Sequence, residues 1–404
     1  RGYATATTDS APKVATFKSA KPTASVTVLL SAGSRHEAKP GVAHVLSNFA
    51  FKRNAKHSAL GTVRQAELYG GVLSSTLTRE HLALTAEFLP GDEAFFIDLL
   101  ASHISTAQYT PYELQELVYP SVLDEARAVQ LSPATRALEL AHAVAFRRGL
   151  GNSLFADPDA VHAVGIPDIA TLHTTGLGGA SLSATNLDAA AVAELFAASL
   201  PEDAPSLSST APVVPVTTYF GGSTRIADFH AGSSAVFLGF GTTTAAAVPA
   251  LHALAAHISP APAVKWSAGA GPLAGKLPGG IHAETYVFPY SDGTLFGTLL
   301  RGSPAVLKDG AQAVVTALKD AAGGLGKEAA QRAAAKAKFT LLGALESPLE
   351  QAQLGERATA QVETVGALDG AAISKVAAEL LKSKATFTAV GDVHSLPYAD
   401  EVGL

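Results

Sequence analysis

The sequence feature that most constrains this chain is a proline- and serine-rich segment near its middle. Residues 200–215 include four prolines and show no helical or strand periodicity, which is typical of a linker. A chain of 404 residues is too long for one ordinary domain and suits two domains of roughly 200 residues each. We therefore predict two domains, residues 1–211 and residues 212–404, with the boundary near Pro212.

The two halves repeat one order of predicted elements. The first half ends in a helical pattern near residues 168–175, followed by a strand-like segment at residues 180–184. The second half ends in the same order, with a helix at residues 373–381 and a strand at residues 385–390. This repetition predicts two copies of one α+β unit. An apolar content of 48% is sufficient for two hydrophobic cores.

A clear strand pattern in the first half lies at residues 82–88. Apolar Leu82, Leu84 and Phe88 alternate with smaller or more polar residues such as Glu87. Successive side chains of a strand point to opposite faces of the sheet. The alternation therefore predicts a strand with one buried face and one exposed face.

Composition excludes several classes of function. A net charge of -6 without any block of like charges gives no electrostatic support for nucleic-acid binding. Without cysteine the chain has no disulfide, no thiolate ligand and no thiol nucleophile, and no G-x-S-x-G motif occurs. The most apolar long run, residues 234–255, is interrupted by Gly239, Gly241 and Pro249, and it falls short of the roughly 20 continuous apolar residues of a membrane helix. We expect any membrane association to depend on other subunits.

Two weak motifs in the second half do not predict a cofactor site. Residues 269–274 match G-x-G-x-x-A, but Pro272 and the α+β surroundings do not suit a dinucleotide site, and Gly275-Lys276 lacks the rest of a phosphate loop. His252 and His257 are five residues apart and lie on different helix faces, which is typical of packing or surface histidines. We therefore predict no bound cofactor.

A helical pattern at residues 41–52 carries the arrangement with the most chemical content. His44 and Asn48 lie one helical turn apart, with Ser47 between them. The inverted zinc-peptidase motif H-x-x-E-H has two histidine ligands and a glutamate general base at these positions. In this chain Ser47 occupies the base position and Asn48 occupies the second ligand position.

The surrounding residues extend this likeness. They are Ala-Gly-Ser-Arg-His-Glu at 32–37, Gly-Gly at 70–71 and Thr-Arg-Glu at 78–80. In this order and spacing the chain resembles the processing-peptidase family of zinc proteases over essentially its whole length. The resemblance implies two homologous domains around a cleft, each with an antiparallel or mixed sheet and helices packed on one face. It also implies a third ligand, a glutamate 77 residues past Asn48, and Glu125 occupies that position.

The substitutions remove the chemistry of the motif. A catalytic zinc ion needs about three protein ligands and an open position for water, but only His44 and Glu125 remain. The hydroxyl of Ser47 has no basicity near neutral pH and cannot take a proton from a metal-bound water. We predict no catalytic residue and no metal site at the degenerate positions His44, Ser47, Asn48 and Glu125. The alternative interpretation is a zinc-peptidase half-site that a partner subunit completes.

Further segments resemble the core-protein branch of this family, and within it core protein 2. They are residues 264–267, 290–297, 335–339 and 389–399. The resemblance implies a noncatalytic structural subunit of the mitochondrial ubiquinol–cytochrome c reductase, without cofactors, peripheral to the inner membrane on its matrix side. The implied partners are core protein 1, cytochrome b, cytochrome c1 and the Rieske subunit of a dimeric complex. A noncatalytic, presequence-binding subunit of the processing peptidase is the other branch that this sequence resembles.

The first residues suggest a targeting segment. Arg1-Gly2-Tyr3-Ala4 resembles the end of a mitochondrial presequence, and the residues up to Ser25 are poor in acids apart from Asp9. The pattern favours a processed, matrix-targeted chain, and an artificial boundary is the alternative.

Overall fold

The computed structural model of the chain describes residues 5–6, 13–202, 214–228, 232–262, 264, 269, 271–354 and 357–404. Eleven strands and fourteen α-helices are formed by these residues. The strands are β1 (Thr5–Ala6), β2 (Lys13–Phe17), β3 (Ala24–Leu30), β4 (Val72–Leu77), β5 (Leu82–Phe88), β6 (Ser181–Thr185), β7 (Gly222–Ala227), β8 (Ser234–Thr242), β9 (His282–Pro289), β10 (Thr294–Gly302) and β11 (Thr386–Gly391). The helices are α1 (Val42–Asn48), α2 (Ala59–Leu68), α3 (Glu93–Thr106), α4 (Pro111–Glu113), α5 (Tyr119–Gln130), α6 (Pro133–Phe146), α7 (Ile166–Gly176), α8 (Ala189–Ser199), α9 (Val248–Ile258), α10 (Pro304–Gly323), α11 (Lys327–Ala344), α12 (Pro348–Leu354), α13 (Arg357–Gly366) and α14 (Gly370–Leu380).

The chain divides into two compact units that do not follow its halves. Unit 1 comprises residues 1–127, 153–214 and 344–358, and unit 2 comprises residues 128–152, 215–343 and 359–404. Thus α6 belongs to unit 2 although it lies in the first half, and α12 belongs to unit 1 although it lies in the second. Pro212, the predicted boundary, lies outside the described residues.

The two sheets share one topology over five strands, and β1 adds a sixth strand at the edge of the first sheet. The first has the strand order β1-β2-β6-β3-β5-β4, and the second has the order β7-β11-β8-β10-β9. In each sheet one pair is parallel, β2 with β6 and β7 with β11, and every other pairing is antiparallel. The predicted α+β class and the repetition of one unit are confirmed.

In unit 1, the two faces of the sheet differ in chemistry but both are buried. Val26, Val28 and Leu84 share the face that contributes to the main core of this unit. On the other face the hydroxyls of Thr27 and Thr85 form a buried hydrogen bond of 2.9 Å. Burial of hydroxyl groups is tolerated here because they satisfy one another.

The second face of this sheet is covered by α12. Thr185 donates a hydrogen bond to the side-chain carbonyl of Gln351 in this helix. Ala83 and Thr85 of β5 are therefore buried, at 1% and 5% exposure, and only Glu87 of that strand is exposed. The prediction of one exposed face on β5 was wrong, because a helix distant in sequence packs on it.

In unit 2, helices cover both faces of the sheet. Phe237, Leu299 and Val390 pack against α6, whereas Leu238 and Phe296 belong to the larger core on the other face, to which α9, α10 and α14 contribute. The expectation of helices on one face only was therefore wrong for this unit as well. None of the helices in the described part of the chain combines the length and apolar character that crossing a lipid bilayer requires.

Candidate functional site

The candidate site is built on α1. The start of this helix is fixed by the backbone conformation of Gly41 and by hydrogen bonds to the side chain of Glu37. Gly41 adopts a left-handed conformation with φ of 89°, and a Cβ atom there would lie 2.7 Å from Cβ of Ala156. Glu37 accepts hydrogen bonds from the N–H groups of Gly41 and Ala43, at 3.1 and 3.2 Å. A side-chain oxygen that satisfies otherwise unpaired N–H groups at a helix start stabilises the helix.

The motif segments before and after α1 in the sequence contact each other in the structure. Arg35 forms an ion pair with Glu80 at 2.7 Å, with side chains 3% and 14% exposed. The N–H of Arg35 donates to the carbonyl of Arg79 at 2.7 Å. A Cβ atom on Gly33 would lie 2.4 Å from the same carbonyl oxygen. The segments at 32–37 and 78–80 therefore contact each other, and their close approach requires glycine at position 33.

Three of the four predicted motif side chains lie together. His44 Nε2 lies 2.7 Å from a carboxylate oxygen of Glu125, and the amide nitrogen of Asn48 lies 3.4 Å from the same oxygen. The Asn48 amide also donates to the carbonyl of His44 at 3.3 Å. His44 is buried at 3% exposure, whereas the Glu125 side chain is 52% exposed. The residue reached by the counted spacing of 77 residues, Glu125, thus lies beside His44 and Asn48.

A backbone contact fixes the tautomer of His44. Its Nδ1 accepts a hydrogen bond from the N–H of Ala156 at 3.1 Å, so the neutral imidazole carries its proton on Nε2 and donates it to Glu125. Neither ring nitrogen then has a free lone pair. Coordination of a metal ion by His44 would require loss of the Nε2 proton and of the hydrogen bond to Glu125.

Ser47 points away from this cluster. Its hydroxyl donates to the carbonyl of His44 at 2.9 Å, and its own carbonyl accepts from the Ser75 hydroxyl at 3.1 Å. This is the ordinary hydrogen bond of a helical serine to the preceding turn. Within the described residues, no group of three or more His, Cys, Asp or Glu side chains is arranged to hold a metal ion.

The other residues considered from sequence are not part of this arrangement. Burial lowers the pKa of His252 to about 4. Burial, followed by the nearby charges of Arg332 and Lys336, lowers the pKa of His257. Residues 272–276 form turns rather than the helix that a dinucleotide site requires.

Sequence reasoning missed two contributions to the site. The π-helical turn Leu114–Val118 lies between α4 and α5, and it changes the helical register before Glu125 is reached. The N–H of Ala156, which determines the tautomer of His44, comes from a segment 112 residues away. Neither feature has a signal in the local sequence.

Comparison with known proteins identifies the family. The sequence model of the insulinase family, peptidase family M16, matches residues 13–158. Cytochrome b-c1 complex subunit 2 of Cryptococcus neoformans is 42% identical over 397 residues, which cover 95% of this chain and 90% of that protein. The chain belongs to the mitochondrial cytochrome b-c1 complex subunit 2 family.

A second member of the subunit 2 family, from Yarrowia lipolytica, is 34% identical over 96% of this chain and 94% of its own length. The mitochondrial-processing peptidase subunit alpha of Solanum tuberosum is 30% identical over 146 residues, which cover 36% of this chain and 29% of that protein. The resemblance predicted from the motifs, to the peptidase family and to its subunit 2 branch, is confirmed.

Proposed function

We propose that this chain is a noncatalytic structural subunit of the mitochondrial ubiquinol–cytochrome c reductase, the cytochrome b-c1 complex. The observation that carries the proposal is the identity of 42% to a subunit 2 protein across 95% of the chain. An alignment of this extent covers both α+β units, so it concerns the whole molecule and not a shared peptidase domain.

The geometry at α1 supports the noncatalytic part of the proposal. His44 donates its Nε2 proton to Glu125, and the lone pair on Nδ1 is taken by a backbone N–H. Ser47 offers a hydroxyl in place of a carboxylate, and this hydroxyl is bonded to the helix backbone. Peptide hydrolysis by a zinc peptidase needs a metal-bound water and a base that removes its proton, and these side chains supply neither function.

In the proposed role, the chain pairs with core protein 1 on the matrix side of the mitochondrial inner membrane. Cytochrome b, cytochrome c1 and the Rieske subunit complete its surroundings in a dimeric complex. The subunit itself is peripheral and binds no haem, iron–sulfur cluster or quinone. It stabilises the neighbouring subunits because it binds only their folded state. Such binding shifts their folding equilibrium toward that state.

Co-purification with haem tests this proposal. For this experiment, the chain is expressed with an added affinity tag in fungal mitochondria and purified in a mild detergent. We expect b- and c-type haem absorbance to elute with it in constant ratio. A soluble, haem-free heterodimer that binds presequences would instead assign it to the processing peptidase, the alternative that the partial similarity to a subunit alpha supports.

A ligand-restoring substitution tests the noncatalytic assignment. Asn48→His would add an imidazole beside His44 and Glu125 and so complete three protein ligands. After dialysis against a weak chelator, we expect the unsubstituted chain to retain well under one zinc ion per molecule and the variant to retain more. Asn48→Gln, which adds no ligand, is the matched control. Stoichiometric zinc in the unsubstituted chain, together with peptide cleavage, would contradict the assignment.

A further inference from the structure

A small cavity in unit 1 lies beside the end of α1. It offers about 10 Å³ to the centre of a water-sized sphere. Three polar side chains, His103, Tyr109 and His173, contribute to its wall. The remainder of the wall is apolar and includes Leu46 and Leu84. A single buried water needs roughly 10–15 Å³ of such space and two to four polar partners.

One of these polar side chains, His103, has a buried ring nitrogen that lacks a hydrogen-bond partner within the described part of the chain. Its Nε2 accepts a hydrogen bond from the N–H of Phe51 at 3.0 Å, so the neutral ring carries its proton on Nδ1. This Nδ1 is buried and has no hydrogen-bond partner among the described residues. A buried N–H without a partner destabilises the folded state because its desolvation is not compensated, and a bridging water provides the missing partner.

The other two polar groups are suited to bind the same water. Burial lowers the pKa of His103 to about 3 and that of His173 to about 4, so both rings are neutral at pH 7. Burial also raises the pKa of Tyr109, which keeps its hydroxyl protonated. The three groups thus present one ring N–H donor, one imidazole and one hydroxyl, without a net charge that would call for an ion.

Unit 2 contains a cavity that serves as an internal comparison. It has the same size, about 10 Å³, but its wall is formed by apolar side chains and Thr298. The hydroxyl of Thr298 already forms a hydrogen bond with Thr285 at 3.2 Å. Cavities lined by apolar side chains stay dry. Because the two cavities have the same volume, a difference in water binding between them would be due to the polarity of their walls and not to their size.

We propose that the unit 1 cavity binds one structural water molecule, which accepts a hydrogen bond from Nδ1 of His103 and bridges to Tyr109 and His173, whereas the unit 2 cavity binds none. The water connects α3, α7 and the segment before α4. Through His103 it also supports Phe51, a residue held in a left-handed conformation with φ of 59° three residues after the end of α1. The inference is independent of the proposed function.

The decisive experiment is an experimental density map of the assembled protein at a resolution that resolves ordered waters. We expect a peak about 2.7–3.2 Å from His103 Nδ1 and no peak in the unit 2 cavity. Absence of the first peak would overturn the proposal, as would a peak in the unit 2 cavity. A metal ion identified by anomalous scattering at His103 would overturn it as well.

Hydrogen exchange of a matched pair of variants provides a second measurement. Tyr109→Phe removes one partner of the water but keeps the ring that packs on Phe49. We expect the amide of Phe51 to exchange roughly fivefold faster. Thr298→Val, the corresponding change in the other cavity, should leave exchange at Phe51 unaltered. Equal exchange at Phe51 in Tyr109→Phe and in the unsubstituted chain would argue against the bridging role.

Discussion

Glu37 and His44 make the hydrogen bonds that hold the start of α1 in place. Glu37 accepts from two N–H groups at the beginning of the helix, and His44 accepts from Ala156 and donates to Glu125 one turn later. His44, which occupies a zinc-ligand position of the peptidase motif, thus forms hydrogen bonds with Ala156 and Glu125. At the scale of single residues, burial governs the protonation of Glu37, and a backbone N–H governs the tautomer of His44.

The titration of Glu37 leads to the first prediction. Burial raises the pKa of this carboxyl from 4.5 to about 7, so the folded chain binds a proton more tightly than the unfolded chain does. The stabilising contribution is complete below pH 4.5 and is lost as the pH rises through 7. Glu37→Gln keeps an acceptor oxygen and removes the charge.

We expect the free energy of unfolding of the unsubstituted chain to fall by about 1–3 kcal/mol between pH 4.5 and pH 8 because of this residue. The Glu37→Gln variant should lack that part of the pH dependence. Urea denaturation at several pH values measures both. Glu37→Ala, which removes the acceptor as well, should be destabilised at every pH, and an unchanged slope in Glu37→Gln would contradict the assignment.

At the scale of elements, α6 shows why small residues matter. Ala137, Ala141 and Ala145 recur every four residues on one face of this helix, and all three are fully buried against the second sheet. The small side chains allow the helix to lie close to Phe237 and Leu299. The carbonyl of Ala137 even accepts a hydrogen bond from the Thr388 hydroxyl at 2.9 Å.

The second prediction concerns this alanine face. Ala141→Leu would place three additional carbon atoms in a filled interface, and we expect a loss of about 1–3 kcal/mol in the free energy of unfolding. Ala197→Leu, on the exposed face of α8, is the control and should change stability by less than about 0.5 kcal/mol. Thermal or urea denaturation compares the two variants. Equal stability of both would mean that α6 does not pack closely on this sheet.

At the scale of the whole molecule, each unit is completed by a helix from the other half of the sequence. Unit 2 takes α6, which covers one face of its sheet, and unit 1 takes α12, which covers the threonine-lined face of its own sheet. An exposed apolar sheet face favours aggregation over folding. The division of the chain into folding units is therefore discontinuous in sequence.

The third prediction follows from this exchange of helices between the two halves of the sequence. A fragment of residues 1–211 lacks α12 and carries α6 without its sheet, and a fragment of residues 212–404 lacks α6. We expect each fragment alone to be insoluble or to lack cooperative unfolding, and co-expression of both to restore a soluble, cooperatively unfolding complex. Near-ultraviolet circular dichroism and denaturation curves provide the measurement. Cooperative unfolding of an isolated fragment would contradict the interpretation.

The sequence by itself determined the periodic and local features of this protein. Repetition of helix and strand patterns gave the two α+β units, since burial requires the same periodicity in each. Fixed spacing placed Glu125 beside His44 and Asn48, because residues that contact one another in a shared fold keep their order and separation. The presence of Ser47 and Asn48 at the base and second-ligand positions of the motif was readable directly, since it depends on side-chain identity alone.

Only the tertiary structure decided which faces are buried and which nitrogen of His44 carries a proton. The alternation in β5 predicted an exposed face, but α12 packs there from more than 250 residues away in the sequence. The N–H of Ala156 selects the tautomer of His44 across 112 residues. Such contacts leave no local pattern, because they depend on how distant segments meet after the chain has folded.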